Sequence, residues 1–363
     1  MSYSGADETE RCMQAIPLEV IETLLDGQID IRRRPGSIQP MRLPVAELPF
    51  YDAFTQWVAS CATGCRLRFA TDSAAVRLTA TQHLLAMAND GERRGAYDLY
   101  VDGRLFARGW GEGGAEMDPQ GGLTGDAALT LAFEGLPAGE KTVELWLPQA
   151  ATVAITGLAL DEGASLRAVP DGRPRILFHG SSISHGMEAE GATANWPAVA
   201  SRLANLDHLN LGWAGSCLLS GLAARIIRDQ RADAIVLKLG INVHTDGQLK
   251  ERNFLDAAHA MISIIREKHP ATPMLIVSPI WSPPRESTGD GPSLQRMRRL
   301  LEMVVAARVK AGDTAIGYLD GLELFGPADA ALLPDDLHPN TEGYRLMGER
   351  FHRLALSGDG ALI

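Results

Sequence analysis

The sequence predicts two domains of different fold class, a β-sandwich or jelly roll over residues 1–165 and a doubly wound α/β domain over residues 172–363. Three observations support this prediction. The chain has 363 residues, which suits about two domains. Apolar residues recur with period two before about residue 160. After about residue 173, short apolar runs alternate with longer amphipathic stretches, as in parallel strand and helix units.

Alternating apolar and polar residues indicate the strands of the N-terminal half. This pattern places one set of side chains in a core and the other in water, as in antiparallel sheets. Asp102-Gly103 stands between two apolar pairs and predicts a hairpin turn. Helical spacing is scarce beyond Phe50–Val58, where Phe50, Phe54 and Trp57 can share a face. The alternating segments are 66–69, 76–79, 129–133 and 143–147.

The C-terminal half reads as buried parallel strands joined by helices. Its apolar runs are short, and the stretches between them have apolar residues at helical spacing. The predicted strands are 176–178, 207–211, 234–237, 274–277 and 315–319, and the predicted helices are 196–206, 218–229, 253–269, 294–311 and 341–354.

Composition excludes several classes of partner. The net charge is −11, whereas nucleic acids and anionic membranes attract basic surfaces. Four cysteines in so long a chain do not indicate a disulfide framework. Residues 1–12 lack the basic and apolar pattern of a leader, and no run of about 18 apolar residues occurs. We therefore expect a cytoplasmic protein that binds neither nucleic acid nor membrane.

Reactive side chains stand at the predicted strand ends, where doubly wound domains gather their active groups. Ser182 follows the first strand of the α/β half, and Asp335 and His338 precede its last helix. A serine hydroxyl becomes nucleophilic when a base takes its proton, and the ordinary histidine pKa of about 6.5 suits that task at neutral pH. Asp335, three residues before His338, can orient the second ring nitrogen. These residues predict nucleophilic acyl transfer by a catalytic triad.

Such chemistry also needs donors for the negative charge that develops on the substrate oxygen. The backbone N–H groups of Ser182 and Gly215 and the side-chain amide of Asn242 can supply three donors at neighbouring strand ends. We therefore expect Ser182, Gly215 and Asn242 to form an oxyanion hole. The alternatives are an ordinary turn glycine at 215 and an ordinary loop asparagine at 242.

Four segments in this order resemble the conserved blocks of the GDSL/SGNH hydrolase superfamily: Gly180-Ser181-Ser182-Ile183, Gly215, Gly240-Ile241-Asn242 and Asp335-Asp336-Leu337-His338. The resemblance covers about residues 174–356 and implies a flavodoxin-like sheet with the triad and oxyanion hole named above. Ser181 departs from the aspartate usual in the first block. The preceding half, with Gly95–Tyr100, is similar to the carbohydrate-binding-module-like sandwich found before some SGNH domains, in carbohydrate esterases and in an acyltransferase of antibiotic biosynthesis. That layout implies an acyl pocket shared between the domains.

Other assignments remain open at several positions. Ser181 and Ser184 are alternative nucleophiles, and Asp336 competes with Asp335 as the partner of His338. Ser182 could instead cap the following helix. The segment Gly109–Gly114 satisfies a glycine-rich dinucleotide pattern but does not open a helix, so we expect a loop there and no nucleotide cofactor.

Four residues near the blocks are predicted substrate contacts: Trp213, His185, His244 and Trp281. Trp213 adjoins the second block, where an aromatic wall would favour a planar or apolar acyl group. A packing role for Trp213 is the alternative. The spacing of the histidines matches no metal-site pattern, so we expect no metal and no cofactor.

These observations predict an acyl-enzyme on Ser182 that passes its acyl group to an alcohol or to water. We favour an O-acyltransferase in natural-product biosynthesis that takes a small-molecule acyl donor and a hydroxyl acceptor. The alternative is an esterase of carbohydrates or small esters. A third hypothesis is a carbohydrate-binding protein with an inactive esterase domain, which would require a broken triad.

Overall fold

The computed structural model describes residues 12–85, 95–117, 122–244, 249–287, 291–358 and 361–363. The leader prediction falls almost wholly on residues 1–11, outside these ranges. Up to residue 168 the chain forms two sheets that share one apolar core, with side chains such as Leu78 and Val153 from one sheet meeting Phe69 and Leu145 from the other. This arrangement is a β-sandwich.

The strands of the sandwich are numbered in chain order. The nine-stranded sheet holds β1 Met13–Ile16, β3 Asp30–Arg34, β4 Ser37–Met41, β6 Ala75–Leu85, β9 Glu112–Gly113, β10 Ala115–Met117, β11 Leu123–Thr124, β12 Ala128–Glu134 and β14 Ala151–Asp161. The six-stranded sheet holds β2 Leu25–Asp26, β5 Arg66–Thr71, β7 Tyr97–Val101, β8 Arg104–Gly109, β13 Lys141–Trp146 and β15 Arg167–Ala168.

The predicted alternating segments lie in β5, β6, β12 and β13, so the period-two reading is confirmed. The predicted hairpin turn is confirmed as well. Asp102 and Gly103 join β7 to β8 with φ of 47° and 78°, the left-handed conformation that tight hairpin turns favour.

The N-terminal half has more helix than its sequence predicted. Helix α1 Leu18–Leu24 was not foreseen, and the expected stretch 50–58 divides into a 3₁₀ helix, Val45–Phe50, and α2 Ala53–Ser60. The division has a local cause. Tyr51 is extended, and the Asp52 carboxylate accepts the Thr55 N–H at 3.0 Å as the N-cap of α2.

The C-terminal half is a three-layer α/β structure, as predicted. Its sheet holds β16 Arg175–Gly180, β17 Asp207–Gly212, β18 Ala234–Lys238, β19 Met274–Val277 and β20 Ile316–Leu319, all parallel, in the order β17-β16-β18-β19-β20. Its helices are α3 Ser182–His185, α4 Trp196–Leu203, α5 Gly221–Arg228, α6 Ile241–His244, α7 Glu251–Arg266, α8 Leu294–Lys310, α9 Gly321–Leu324 and α10 Thr341–Ala355.

Separate apolar clusters cover the two faces of this sheet, one containing residues of α5, α7 and α8 and the other residues of α4 and α10. Side chains from the N-terminal half, Met41, Leu43 and Val58 among them, belong to the first cluster. The two halves therefore share core. None of the helices in the described part of the chain is long and apolar enough to cross a lipid bilayer.

Arg42 connects the halves through main-chain carbonyls. Its guanidinium is fully buried and donates to Asn210 O at 3.1 Å, Gly212 O at 2.6 Å and Cys61 O at 2.7 Å, and it also contacts Val58 O. Burial lowers the pKa of Arg42 to about 10, which leaves it charged at neutral pH. This buried cation holds the carboxyl end of β17 against the N-terminal half.

Arg66 makes a second connection through carboxylates. It is fully buried and donates to Asp207 at 2.6 Å, Asp26 at 2.7 Å and Asp171 at 3.1 Å. Oxygens of these three carboxylates lie within 4.8 Å of one another. Arg175 also pairs with Asp26 and Asp207. The acidic cluster is therefore neutralised by arginines from both halves.

Candidate functional site

The structure brings three of the predicted residues into one hydrogen-bonded relay. Ser182 Oγ lies 2.7 Å from His338 Nε2, and His338 Nδ1 lies 2.6 Å from Asp335 Oδ2. With Nδ1–H donating to the carboxylate, Nε2 is left as the acceptor for the serine hydroxyl. Ser182 begins α3 directly after β16, and the histidine and aspartate lie on the loop before α10. The arrangement can move a proton from serine to histidine.

The loop that carries Asp335 and His338 is held by hydrogen bonds between the Asp335 carboxylate and backbone N–H groups of the loop. Asp335 Oδ1 accepts the N–H of His338 at 2.7 Å and that of Leu337 at 3.0 Å. Asp336 adopts a left-handed φ of 60°, and its carbonyl accepts the Ser282 hydroxyl at 2.6 Å. Partial burial would raise the pKa of Asp335, but hydrogen bonds from the side chain and backbone of His338 outweigh it and hold the pKa well below its usual range. It is Asp335, not its neighbour Asp336, whose carboxylate contacts the histidine.

The three serines of the turn, Ser181, Ser182 and Ser184, differ in how far their side chains are exposed to solvent. Ser181 and Ser184 are fully buried, whereas Ser182 is only partly so. Ser181 Oγ accepts the Ile183 N–H at 3.3 Å as the N-cap of α3. Ser181 thus stabilises the turn at the position where the first block of the GDSL/SGNH pattern has aspartate. Only Ser182 of the three combines access with a base.

Gly215 lies beside an aromatic ring from the N-terminal half. Its φ of +67° favours glycine, and a Cβ added there would come within 2.8 Å of the Phe54 ring, so the two residues lie in close contact. The next residue of each element makes a buried hydroxyl contact, Thr55 Oγ1 to Ser216 Oγ at 2.8 Å. Phe54 nevertheless stays 52% exposed, and Phe50 stays 63% exposed. Helix α2 therefore places an apolar wall beside the predicted oxyanion loop.

Asn242 is anchored to the same loop. Its Oδ1 accepts the backbone N–H of Cys217 at 3.1 Å. Because the amide oxygen is engaged, the Nδ2 hydrogens are the groups that can donate elsewhere. The geometry therefore orients Asn242 as a donor at the end of β18, next to the glycine loop at the end of β17.

Two of the four predicted substrate contacts are corrected by burial. Trp213 is 1% exposed and packs edge to face with Tyr51 and His179. His185 is fully buried, and its Nε2 lies 2.8 Å from Gln149 O. Both side chains lie where the N-terminal half covers the α/β half, and no local pattern predicts such a contact between distant segments.

The other two predicted contacts are partly exposed. Trp281 lies just beyond β19, and its backbone N–H donates to Phe325 O at 3.0 Å. His244 ends α6. Their roles as substrate contacts remain predictions.

Sequence reasoning did not foresee that Phe54 lies beside Gly215. The signal within reach was the apolar helical face of residues 50–58 in an otherwise alternating half. That face indicated a helix covering something apolar, but its partner lies about 160 residues further along the chain.

Three buried histidines predict loss of stability in mild acid. Burial lowers the pKa of His179 to about 4 and of His208 to about 3, and that of His185 falls well below its usual value. The unfolded chain takes up protons at these positions as the pH falls below about 6.5, but the folded chain does not. Stability is therefore full above that pH, and we expect a loss of about 2 kcal/mol between pH 7 and pH 6. Urea unfolding at both pH values measures it, and equal stabilities would contradict the burial of neutral rings.

The chain is similar to a known protein family and to several solved structures. The GDSL-like lipase/acylhydrolase family model matches residues 178–346. The salicylyl-acyltransferase SsfX3 from a tetracycline biosynthetic pathway is similar at 28% identity, covering 96% of this chain and 95% of its own, with a TM-score of 0.80. A GDSL-like lipase from Bacteroides ovatus shares 20% identity over 93% and 96% of the two chains, with a TM-score of 0.72.

A third solved structure, like the one from Bacteroides ovatus, is similar in fold alone. It is a family two carbohydrate esterase from Clostridium thermocellum, at 18% identity over 81% of this chain and 92% of its own, with a TM-score of 0.60. No curated protein matches the chain. The similarity to the first two structures extends through both halves, so the sandwich and the α/β fold occur together in them.

Proposed function

We propose that this chain, whose residues 178–346 match the GDSL-like lipase/acylhydrolase family model, is an acyltransferase or carboxylic ester hydrolase that transfers acyl groups through Ser182. The observation that carries this proposal is the relay of Ser182, His338 and Asp335, with contacts of 2.7 and 2.6 Å. The intact relay argues against a binding protein with an inactive esterase domain.

The first half of the reaction forms an acyl-enzyme. His338 Nε2 takes the hydroxyl proton as Ser182 Oγ bonds to the carbonyl carbon of the donor. The charge on the carbonyl oxygen is stabilised by the backbone N–H groups of Ser182 and Gly215 and by Asn242 Nδ2. The tetrahedral intermediate collapses, the bond to the leaving group breaks, and the histidinium returns its proton to that group. Asp335 stabilises the histidinium throughout.

The second half passes the acyl group to a hydroxyl. His338 takes the proton of the acceptor as its oxygen attacks the acyl carbon, and the proton returns to Ser182 when the ester leaves. An alcohol competes with water better where apolar side chains limit solvent, and the exposed ring of Phe54 supplies such a surface beside Gly215. The similarity to a salicylyl-acyltransferase across nearly the whole chain supports transfer. We infer a small-molecule acceptor of the natural-product kind, with no metal or cofactor in the reaction.

Hydrolysis is the alternative function, and one observation favours it. Gly215 and Asp335 are both exposed, so water has access to this edge of the sheet. An esterase would use the same residues, with water as the second nucleophile.

Partition of a common acyl-enzyme distinguishes the two functions. The purified chain is given the p-nitrophenyl ester and the thioester of benzoate with about 0.1 M of a phenol, a sugar or an aliphatic alcohol. We expect more than half of the benzoyl groups to appear as the ester of at least one acceptor, in the same ratio from both donors because both form one intermediate. Mass spectrometry measures the products. Free benzoate as the sole enzymatic product with every acceptor would establish the esterase instead, and Ser182→Ala gives the uncatalysed background.

A further inference from the structure

A second cleft lies on the sandwich, on the outer face of the nine-stranded sheet. Its volume is about 320 Å³. Four adjacent strands, β3, β4, β14 and β6, form its floor, and Gln56, Trp57 and Ser60 of α2 form one wall. The other edge of α2 carries Phe54 and Thr55, which face Gly215 and Ser216. This cleft, hereafter the sheet cleft, is thus separated from the predicted oxyanion loop by a single helix.

Strand register shows that the residues on the floor of the sheet cleft lie on one face of the sheet, the outer one. Thr152 pairs with His83, and Arg32 pairs with Gln39, across neighbouring strands. Residues between them along the strands, such as Val153, point into the sandwich core. Side chains alternate between faces, so the strands turn outward-facing side chains toward the cleft, and all of these except Ala154 are polar.

The charge of this set is positive. Arg32 and Arg34 both line the sheet cleft, and no aspartate or glutamate is among its lining residues. Within the described residues, neither arginine makes an ion pair, although the whole chain has a net charge of −11. Burial lowers the pKa of Arg32, and the neighbouring charge of Arg34 lowers it further. Both guanidinium groups lack a carboxylate partner among the described residues, so both are available to bind an anion in the cleft.

Arg33 shows the contrast on the same strand. It points to the opposite face and forms a bidentate pair with Glu22, at 2.5 and 2.9 Å. The strand thus turns the arginine that has a carboxylate partner away from the cleft. It turns toward the cleft the two arginines that have no ion pair among the described residues, and of these Arg32 donates to Gln39 Oε1 at 3.5 Å.

The remaining lining residues are His83, Ala154, the indole of Trp57 and five side chains with amide or hydroxyl groups. Gln39 and Ser60 are buried, while Thr81 and Thr152 are partly exposed. The indole N–H of Trp57 has no partner among the described residues. Amides and hydroxyls beside an aromatic ring suit a ligand that carries several hydroxyl groups, and paired guanidinium groups suit a carboxylate or phosphate.

We propose that the sheet cleft binds a small hydroxylated anion, a sugar acid or sugar phosphate whose oxyanion contacts Arg32 and Arg34. This site is additional to the acyl-transfer site and does not rest on its proposed function. Its ligand is held by charge on one side and by the hydroxyl and amide groups of β4, β6, β14 and α2 on the other.

Calorimetric titration of the whole chain tests the proposal with glucuronate, glucose 6-phosphate, neutral glucose and inorganic phosphate. We expect glucuronate or glucose 6-phosphate to bind at least about tenfold more tightly than glucose, and more tightly than phosphate alone. The tighter of the two identifies the oxyanion as carboxylate or phosphate. Higher salt should weaken the binding.

Matched variants locate the site. The double variant Arg32→Gln/Arg34→Gln should lose at least about tenfold in affinity, whereas Arg33→Gln and Ser182→Ala should bind as the unmodified chain does. Unchanged thermal unfolding of the double variant would show that it folds. The proposal is overturned if neither anion binds, if glucose binds equally well, if the double variant retains full affinity, or if Ser182→Ala abolishes binding.

Discussion

Replacing Ser182 with alanine is expected to lower kcat for ester substrates by about 10⁶-fold. The loss is this large because alanine has no atom that can form the acyl-enzyme, and His338 then has no hydroxyl to activate. What remains comes from substrate binding and the oxyanion donors, which still act on an attacking water. Initial rates with an activated ester measure the effect.

A fluorophosphonate separates loss of the nucleophile from loss of the fold. The unmodified chain should gain one adduct by intact mass, mapped to Ser182, and Ser182→Ala should gain none. Ser184→Ala is the matched control, because Ser184 lies on the same turn but is fully buried, and it should label as the unmodified chain does. An adduct on another serine of Ser182→Ala, or a loss of less than about a hundredfold in kcat, would contradict the proposed triad.

Replacing Arg66 with methionine is expected to lower the free energy of unfolding by about 3–5 kcal/mol. The substitution leaves Asp171 and Asp207, whose side chains are only 1% and 2% exposed, with fewer cations to compensate them. It also removes the guanidinium that stacks on Trp146 at 4.5 Å. Urea unfolding followed by tryptophan fluorescence measures the change.

The control for Arg66 is an arginine in an exposed pair. Arg167 and its partner Glu140 are each more than 60% exposed, so Arg167→Met should change stability by less than about 1 kcal/mol. Similar effects from the two substitutions would show that burial does not decide the contribution of Arg66.

The effect of Arg66 should depend on pH in a defined direction. Burial raises the pKa values of Asp171 and Asp207, but the arginines outweigh it and hold both below their usual range. Their contribution to stability is therefore present above about pH 4 and is lost as the pH falls toward the folded pKa values. The difference between Arg66→Met and the unmodified chain should shrink from pH 5 to pH 3. A constant difference would mean that charge is not the cause.

Local patterns predicted much of the fold. Runs such as Ile176-Leu177-Phe178 and Ala234-Ile235-Val236-Leu237 became β16 and β18 because a buried parallel strand needs little beyond apolar side chains. The residues of the relay were also predictable. Each stands at the end of a strand or before a helix, and parallel topology brings those ends together.

Contacts between the halves were not predictable from such patterns. Trp213 and His185 follow strands, as site residues do, but the N-terminal half buries them. Arginine is usually a surface residue, yet Arg42 is buried. Its acceptors Asn210 O and Gly212 O lie 168 and 170 positions away along the chain. No periodicity encodes contacts at that separation, and main-chain carbonyls leave no trace in the sequence at all.

The two buried arginines place different demands on a chimera that joins this sandwich to the α/β half of a relative. Arg42 is bound by backbone carbonyls, which any residue type provides. Its contact would therefore survive the exchange wherever the strand that corresponds to β17 ends at the same position relative to the sandwich. Arg66 is bound by the side chain of Asp207, so its contact needs a specific carboxylate in the incoming half. Recombined halves should therefore dock wherever their backbones agree, but they should be stable only where that aspartate is inherited with them.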